Sequence, residues 1–427
     1  MTEEPVIPAR AKRVLETSRK MGAVAKAEIA TAIEAKQIGK PVAWAGVGSL
    51  GELLRCFDIA VTFPENYGTA TAAAGVAPPC IETTLEWGFP RSQCSYFTIN
   101  FGFAAGVKDR SDIQFPGGGM PVPDFLLMDD TYCVHRVGWF RTVSELLHIP
   151  LFVVDGPFLS KRQSFDRIDD YAVEYLASQL KEAVLFLEEQ TGQRFDEDKL
   201  KEIMRLSNQT TQLFGELVEL SGKTVPCPVA TEDFAYLLYA LNCLIGTQVS
   251  VDLLREARDE VKARIERGEG VVPEEKHRLL FWGNPPYYAL GVLSYPHRYG
   301  AVFVSAPMLF LTFTNPWLPL DPEKPFESLA RRYLCQYLNF SFDKCAELQD
   351  CVIREYRIDG IFYLVNIGCK PATAPQYYLK SLAEERHGLP TVLLELEQAD
   401  PEGYDPVRVA SALDVFMEMV EGKKSHA

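Results

Sequence analysis

The chain has 427 residues, 47% of them hydrophobic and 24% charged, which is ordinary for a folded protein and too long for a single core. Its formal net charge of −15 argues against phosphate-backbone binding and for a soluble, self-repelling surface, so nucleic acid is not an expected partner. The opening "MTEEPVIPARAKRVLETSRK" carries no apolar signal-peptide run. Nowhere do about 18 apolar residues follow one another, so no membrane span is expected. Ten cysteines without a secretion signal point to a reducing cytoplasm.

In chain order, "PVAWAGV" (Pro41 to Val47) reads as a buried strand, with a helix through "GELLRCF". "IAVTF" (Ile59 to Phe63), "DFLLM" (Asp124 to Met128) and "PLFVVD" (Pro150 to Asp155) read as further strands. Continuous apolar runs separated by helices indicate parallel strands covered on both faces. Between about Phe165 and Arg267 the periodicity is helical throughout. "AVFVSAP" (Ala301 to Pro307), "IDGIFYLVN" and "PTVLLELE" then resume the strands, with "APQYYLKSLAEERHG" as a crossover helix. The expected fold is α/β: two Rossmann-like or flavodoxin-like parallel-sheet lobes, 1–164 and 276–427, flanking a helical segment, 165–275.

Several chemical signals fail on inspection. "SGKT" (Ser221 to Thr224) would need a glycine where Leu217 stands to form a phosphate loop, and no strand leads into it. "FPGGGMPVPD" (Phe115 to Asp124) runs into prolines and reads as a connecting loop. No CxxC pair and no G-x-S-x-G elbow is present. His135 and His148 lie thirteen residues apart on one helical stretch, a spacing that defines no metal site.

Three cysteines stand out by position. Cys94 opens a helix in "RSQCSYFTINFGFAAG", Cys133 follows a strand in "DFLLMDDTYCVHRVGWF", and Cys369 follows one in "IFYLVNIGCKPATAPQYYLKSL". Ligands of open α/β sheets gather beyond the carboxyl ends of the strands, where helix N-termini favour thiolates and anionic groups. Lys370 adds positive charge. Three thiolates meeting between the lobes suit an iron–sulfur cubane with one iron open, or a catalytic zinc. The same positions also suit ordinary buried thiols at element ends.

Cys56 and Cys243 read as core, Cys80 as a weak fourth ligand, and Cys335, Cys345 and Cys351 as packing residues on helical faces. Glu65, after strand-ending Pro64, is placed either to cap a helix or to move a substrate proton. Ser49 suits a turn or a hydrogen bond to a bound group, and Trp139 and Tyr96 suit a cleft wall or the core.

The segments "FPENY", "RSQCSYFTINFGF", "PDFLLMDDTYCVHRVGWF", "PLFVVDGPF" and "GCKPATAPQYYLKSLAEERHGLPTVLLELEQADP" resemble subunits of the 2-hydroxyacyl-CoA dehydratase and benzoyl-CoA reductase family. "LARRYLCQYLN" and "HRLLFWGNPPYY" are similar to the longer of that family's two paired subunits. The resemblance spans about Pro41 to Val420. It implies a 4Fe–4S cluster held by Cys94, Cys133 and Cys369, a hetero-oligomer of two related subunits, and a separate ATP-hydrolysing iron–sulfur activator. It also implies a CoA-thioester substrate, reduced by one low-potential electron to a ketyl radical before water is eliminated. A benzoyl-CoA reductase subunit and a non-catalytic electron-transfer partner remain alternatives. The run "DDTYCVHR" departs from the asparagine-rich pattern of many members, which bears on hydrogen bonding around the second cysteine.

Overall fold

The computed structural model describes residues 6–48, 50–131, 133–159, 168–307 and 317–425. Among these residues, eight strands form two four-stranded sheets, all of whose neighbours pair in parallel. The first contains β1 (Val42–Ala45), β2 (Ala60–Thr62), β3 (Phe125–Asp129) and β4 (Leu151–Val154) in the order β2-β1-β3-β4. The second contains β5 (His277–Trp282), β6 (Ala301–Ser305), β7 (Gly360–Val365) and β8 (Thr391–Glu395) in the order β6-β5-β7-β8. The two sheets thus repeat one flavodoxin-like topology. Each has a switch point between its first and third strands, where a crevice opens at the carboxyl edge.

Strand sequences explain why both faces are covered. In β1, Ala43 and Ala45 join one core and Trp44 the other; in β3, Phe125 and Leu127 face the first while Leu126 and Met128 face the second. β5 and β7 repeat this, with Leu279, Phe281, Phe362 and Leu364 on one side and Leu280, Trp282, Ile361 and Tyr363 on the other. Such period-2 division of an all-apolar run is what a doubly covered parallel sheet requires. Fully burying each large side chain contributes on the order of 2 kcal/mol, so the strands anchor each lobe.

The helical stretch supplies Asp170–Thr191, Glu197–Lys223, Thr231–Asn242 and Gln248–Glu266. Its apolar faces divide between the lobes: Leu176, Leu180 and Met204 pack in the first lobe's core, whereas Phe214, Leu217, Phe234 and Val251 pack in the second's. "SGKT" sits at the end of Glu197–Lys223 with Ser221 buried, and "FPGGG" forms a short turn and loop.

Three details differ from the sequence reading. β5, the central strand of its sheet, is not among the expected strands, because its apolar core "LLFW" is too short for periodicity to identify. The helix after β1 is a single turn, Gly51–Leu54, so Cys56 lies just beyond it, although buried as expected. Cys351 is exposed rather than packed. Among the described residues, no helix is long and apolar enough to cross a membrane.

Candidate active site

Cys133 and Cys369 hold equivalent places in the two sheets. Each lies four residues past its strand's last residue, Asp129 in β3 and Val365 in β7, and each is the N-cap of the helix that follows. Cys94 is the N-cap of helix Ser95–Ala104, seated in the β2–β3 connection. That helix is anchored by Gly102, where a Cβ would collide with the carbonyl of Cys80 at 1.8 Å. Only glycine lets the helices Pro78–Glu86 and Ser95–Ala104 approach so closely, and the approach fixes Cys94 over the carboxyl edge.

All three thiols line one cavity of about 120 Å³ between the lobes. Thr231–Asn242 closes it with Ala235, Leu238, Tyr239 and Asn242, and Trp139, Tyr287 and Leu338 add aromatic and aliphatic wall. Tyr96 therefore walls the cavity, as does Trp139.

The thiols influence one another. Burial, the largest cause, pushes each up to about 12. The next cause is in each case a neighbouring thiolate: Cys133 for Cys94, Cys369 for Cys133, and Cys94 for Cys369. This closed ring of repulsion is opposed by backbone N–H groups, from Tyr96 and Phe97 for Cys94, His135 and Arg136 for Cys133, and Ala372 for Cys369. Such a site holds its protons until a cationic group displaces them. Among the described residues, no three His, Cys, Asp or Glu side chains converge on a point where they could share one ion.

Glu65 also reaches the cavity, from the first turn of helix Pro64–Ala73 beyond β2. Its Oε2 accepts the Val47 N–H at 3.2 Å, and its Oε1 pairs with Arg136 Nε at 2.8 Å. Arg136 is buried, lies 3.7 Å from Asp129 Oδ2 and donates to the Val47 carbonyl at 3.0 Å. Burial raises the Glu65 pKa while Arg136 pulls it down. Gly46 makes room: a Cβ there would meet Arg136 Nη1 at 2.4 Å. Ser49 lies outside the described residues. Beside it, the N–H of Leu50 donates to Tyr333 Oη at 3.0 Å, and that hydroxyl donates to buried Glu52 at 2.8 Å, which ties down the loop after β1.

Among the site residues that escape the sequence reading are Arg136, Asn284, Tyr287 and Gln398. Arg136 stands three positions after Cys133, one turn along its helix, and that spacing is a usable signal. Asn284 and Gln398 lie on loops at the second sheet's carboxyl edge, Asn284 just after β5, the unrecognised strand, and Tyr287 opens the 3-10 helix Tyr287–Tyr299. Cys56, Cys80, Cys243, Cys335 and Cys345 are buried away from the thiol ring, as is Cys227.

Residues 51–420 match the family model described as 2-hydroxyglutaryl-CoA dehydratase, D-component. The chain belongs to this family, and is accordingly a component of a dehydratase- or reductase-type enzyme. It is 26% identical over 399 residues to the (R)-2-hydroxyisocaproyl-CoA dehydratase alpha subunit of Clostridioides difficile, covering 93% of this chain and 94% of that one. It is 26% identical to the (R)-phenyllactyl-CoA dehydratase alpha subunit of Clostridium sporogenes, with 92% and 93% covered. A benzoyl-CoA reductase subunit of Thauera aromatica is 27% identical, with 89% and 88% covered.

Proposed function

We propose that this chain is the iron–sulfur subunit of a 2-hydroxyacyl-CoA dehydratase, with Cys94, Cys133 and Cys369 holding a 4Fe–4S cluster. The observation that carries the reading is the thiol ring: three cysteines on three helix N-caps, from both lobes, around one cavity. Soft thiolates suit an iron–sulfur group, and three of them line this one cavity. When bound, the cluster supplies a low-potential electron and an iron free of cysteine that acts as a Lewis acid toward the thioester.

The chain's own residues do the rest. Leu238, Leu338 and Trp139 exclude water and oxygen from a reduced substrate. Glu65, its proton affinity raised by burial, serves as the group that moves a substrate proton, and Arg136 holds it in place. Ser49 serves to hydrogen-bond the thioester. The cavity takes the acyl end; a neighbouring cavity of about 310 Å³ shares Leu338 and is lined by His135 and by Lys370, a cation suited to the phosphates of a CoA ester. The partners in this reading are a related second subunit and a separate ATP-hydrolysing activator, all in the cytoplasm. Identity of 27% to a benzoyl-CoA reductase subunit supports a second reading, in which the electron enters an aryl-CoA ester instead.

Anaerobic purification followed by iron and sulfide analysis tests the cofactor, with about four of each expected per chain. Turnover of 2-hydroxyacyl-CoA and benzoyl-CoA esters with partner subunit, activator and ATP then separates the two readings. Zinc, or no metal, in chains purified without oxygen overturns both.

A further inference from the structure

Two carboxamides bridge the thiol ring. Asn284 Nδ2 lies 3.8 Å from Cys369 Sγ, Gln398 Nε2 lies 3.9 Å from Cys94 Sγ, and Asn284 Nδ2 also donates to Gln398 Oε1 at 2.5 Å. Each amide thus aims an N–H at a different sulfur while the two hold each other. Both face the cavity between the lobes.

The pair is rigidly set. Gly283 has φ +141, and a Cβ there would strike the Leu364 carbonyl at 2.3 Å, so only glycine turns the chain tightly enough off β5 to lay Asn284 over β7. The backbone of Asn284 is then gripped on both sides by buried Asn366: its N–H donates to Asn366 Oδ1 at 3.0 Å, and its carbonyl accepts from Asn366 Nδ2 at 3.1 Å. The Gln398 carbonyl accepts the Tyr287 N–H at 2.9 Å. Donors held this firmly lose little entropy when they bond a sulfur. Both side chains line the cavity, and that of Gln398 is buried.

We infer that Asn284 and Gln398 are positioning residues that donate N–H···S hydrogen bonds to the cluster-bound sulfurs of Cys369 and Cys94 and thereby raise the cluster's reduction potential. Hydrogen bonds to cluster sulfurs stabilise the more negative, reduced state. The amide–amide bond makes the two donors one unit, so removal of either loosens the other. The inference rests on the proposed cluster and adds what sets its potential.

The test is a redox titration of anaerobically purified wild type, Asn284→Leu, Asn284→Asp and Gln398→Leu, followed by electron paramagnetic resonance, with iron assayed on the same samples. All variants are expected to keep the wild-type iron content and to show a more negative midpoint potential. The double variant Asn284→Leu/Gln398→Leu is expected to shift by less than the sum of the single shifts. Full iron with unchanged potentials overturns the amide inference and leaves the cluster reading standing. Iron lost from the folded variants also overturns it, because the pair would then hold the thiols in place rather than tune them. A wild type without iron overturns the cluster reading itself.

Discussion

The backbone of Gly368 lies against that of Cys94. A Cβ on Gly368 would come within 3.1 Å of Cys94 Cα and 2.6 Å of the Gln93 carbonyl oxygen, and 3.1 Å from Glu397 Oε2. This contact joins the lobes, for Gly368 precedes Cys369 at the edge of the second sheet and Cys94 belongs to the first lobe. A single missing methyl group therefore permits two of the three thiols to share a cavity.

Gly368→Ala is expected to push the lobes apart at that point. Overpacking of this kind costs about 1–3 kcal/mol. Anaerobic reconstitution with iron and sulfide should give several-fold lower loading than wild type, with all three thiols still present by titration. Loading equal to wild type would show that the approach of Gly368 to Cys94 is not needed.

The Glu65–Arg136 pair should matter more to stability than either residue's exposure to the cavity suggests. Arg136→Met strands Glu65 beside Asp129 with no cation, and breaking a buried pair in this way costs about 3–5 kcal/mol. Glu65→Gln should cost less, since Arg136 keeps Asp129 and the Val47 carbonyl. Denaturant unfolding of both variants checks the order; equal losses would contradict it.

Much of this was legible beforehand because the relevant signals are local. Parallel strands that are apolar on both faces look alike wherever they occur: six of the eight described strands lie within the predicted segments, and β3 runs one residue past its own, to Asp129. Cys133 and Cys369 stood out because a thiol just past a strand end is a position, not merely a residue type. What stayed hidden depends on packing between segments distant in sequence. Arg136 looks like one more helical cation until Glu65 and Asp129 close around it. Asn284 and Gln398, more than a hundred residues apart, have meaning only once β5 and β8 put both at one sheet edge. Gly368 matters through a contact with the other lobe, which no periodicity encodes.

Asp233 gives a pH signature. It is buried in helix Thr231–Asn242, the helix that closes the cavity, and accepts from the N–H groups of Val14 and Leu15 at 3.2 and 3.1 Å and from Ser18 Oγ at 2.5 Å. Burial, aided by neighbouring Glu232, raises its pKa from 3.8 to about 7 against those donors. The folded chain thus keeps this proton after the unfolded chain has lost its own. The stabilisation is full below the unfolded value near 3.8 and is lost as pH rises through about 7. Asp233→Asn should therefore show a flatter fall in unfolding free energy between about pH 4 and pH 7. Parallel curves for variant and wild type would contradict the assignment.

The central claim is that three thiols from both lobes grip one iron–sulfur cluster. Its most direct test is iron and sulfide content of anaerobically purified wild type beside Cys94→Ser, Cys133→Ser, Cys369→Ser and the buried control Cys243→Ser, all confirmed folded by circular dichroism. Wild type and Cys243→Ser should carry about four iron per chain, and the other three should lose most of it along with the cluster absorbance. Iron retained in any of those three, or lost from Cys243→Ser, would contradict this assignment of the cysteines.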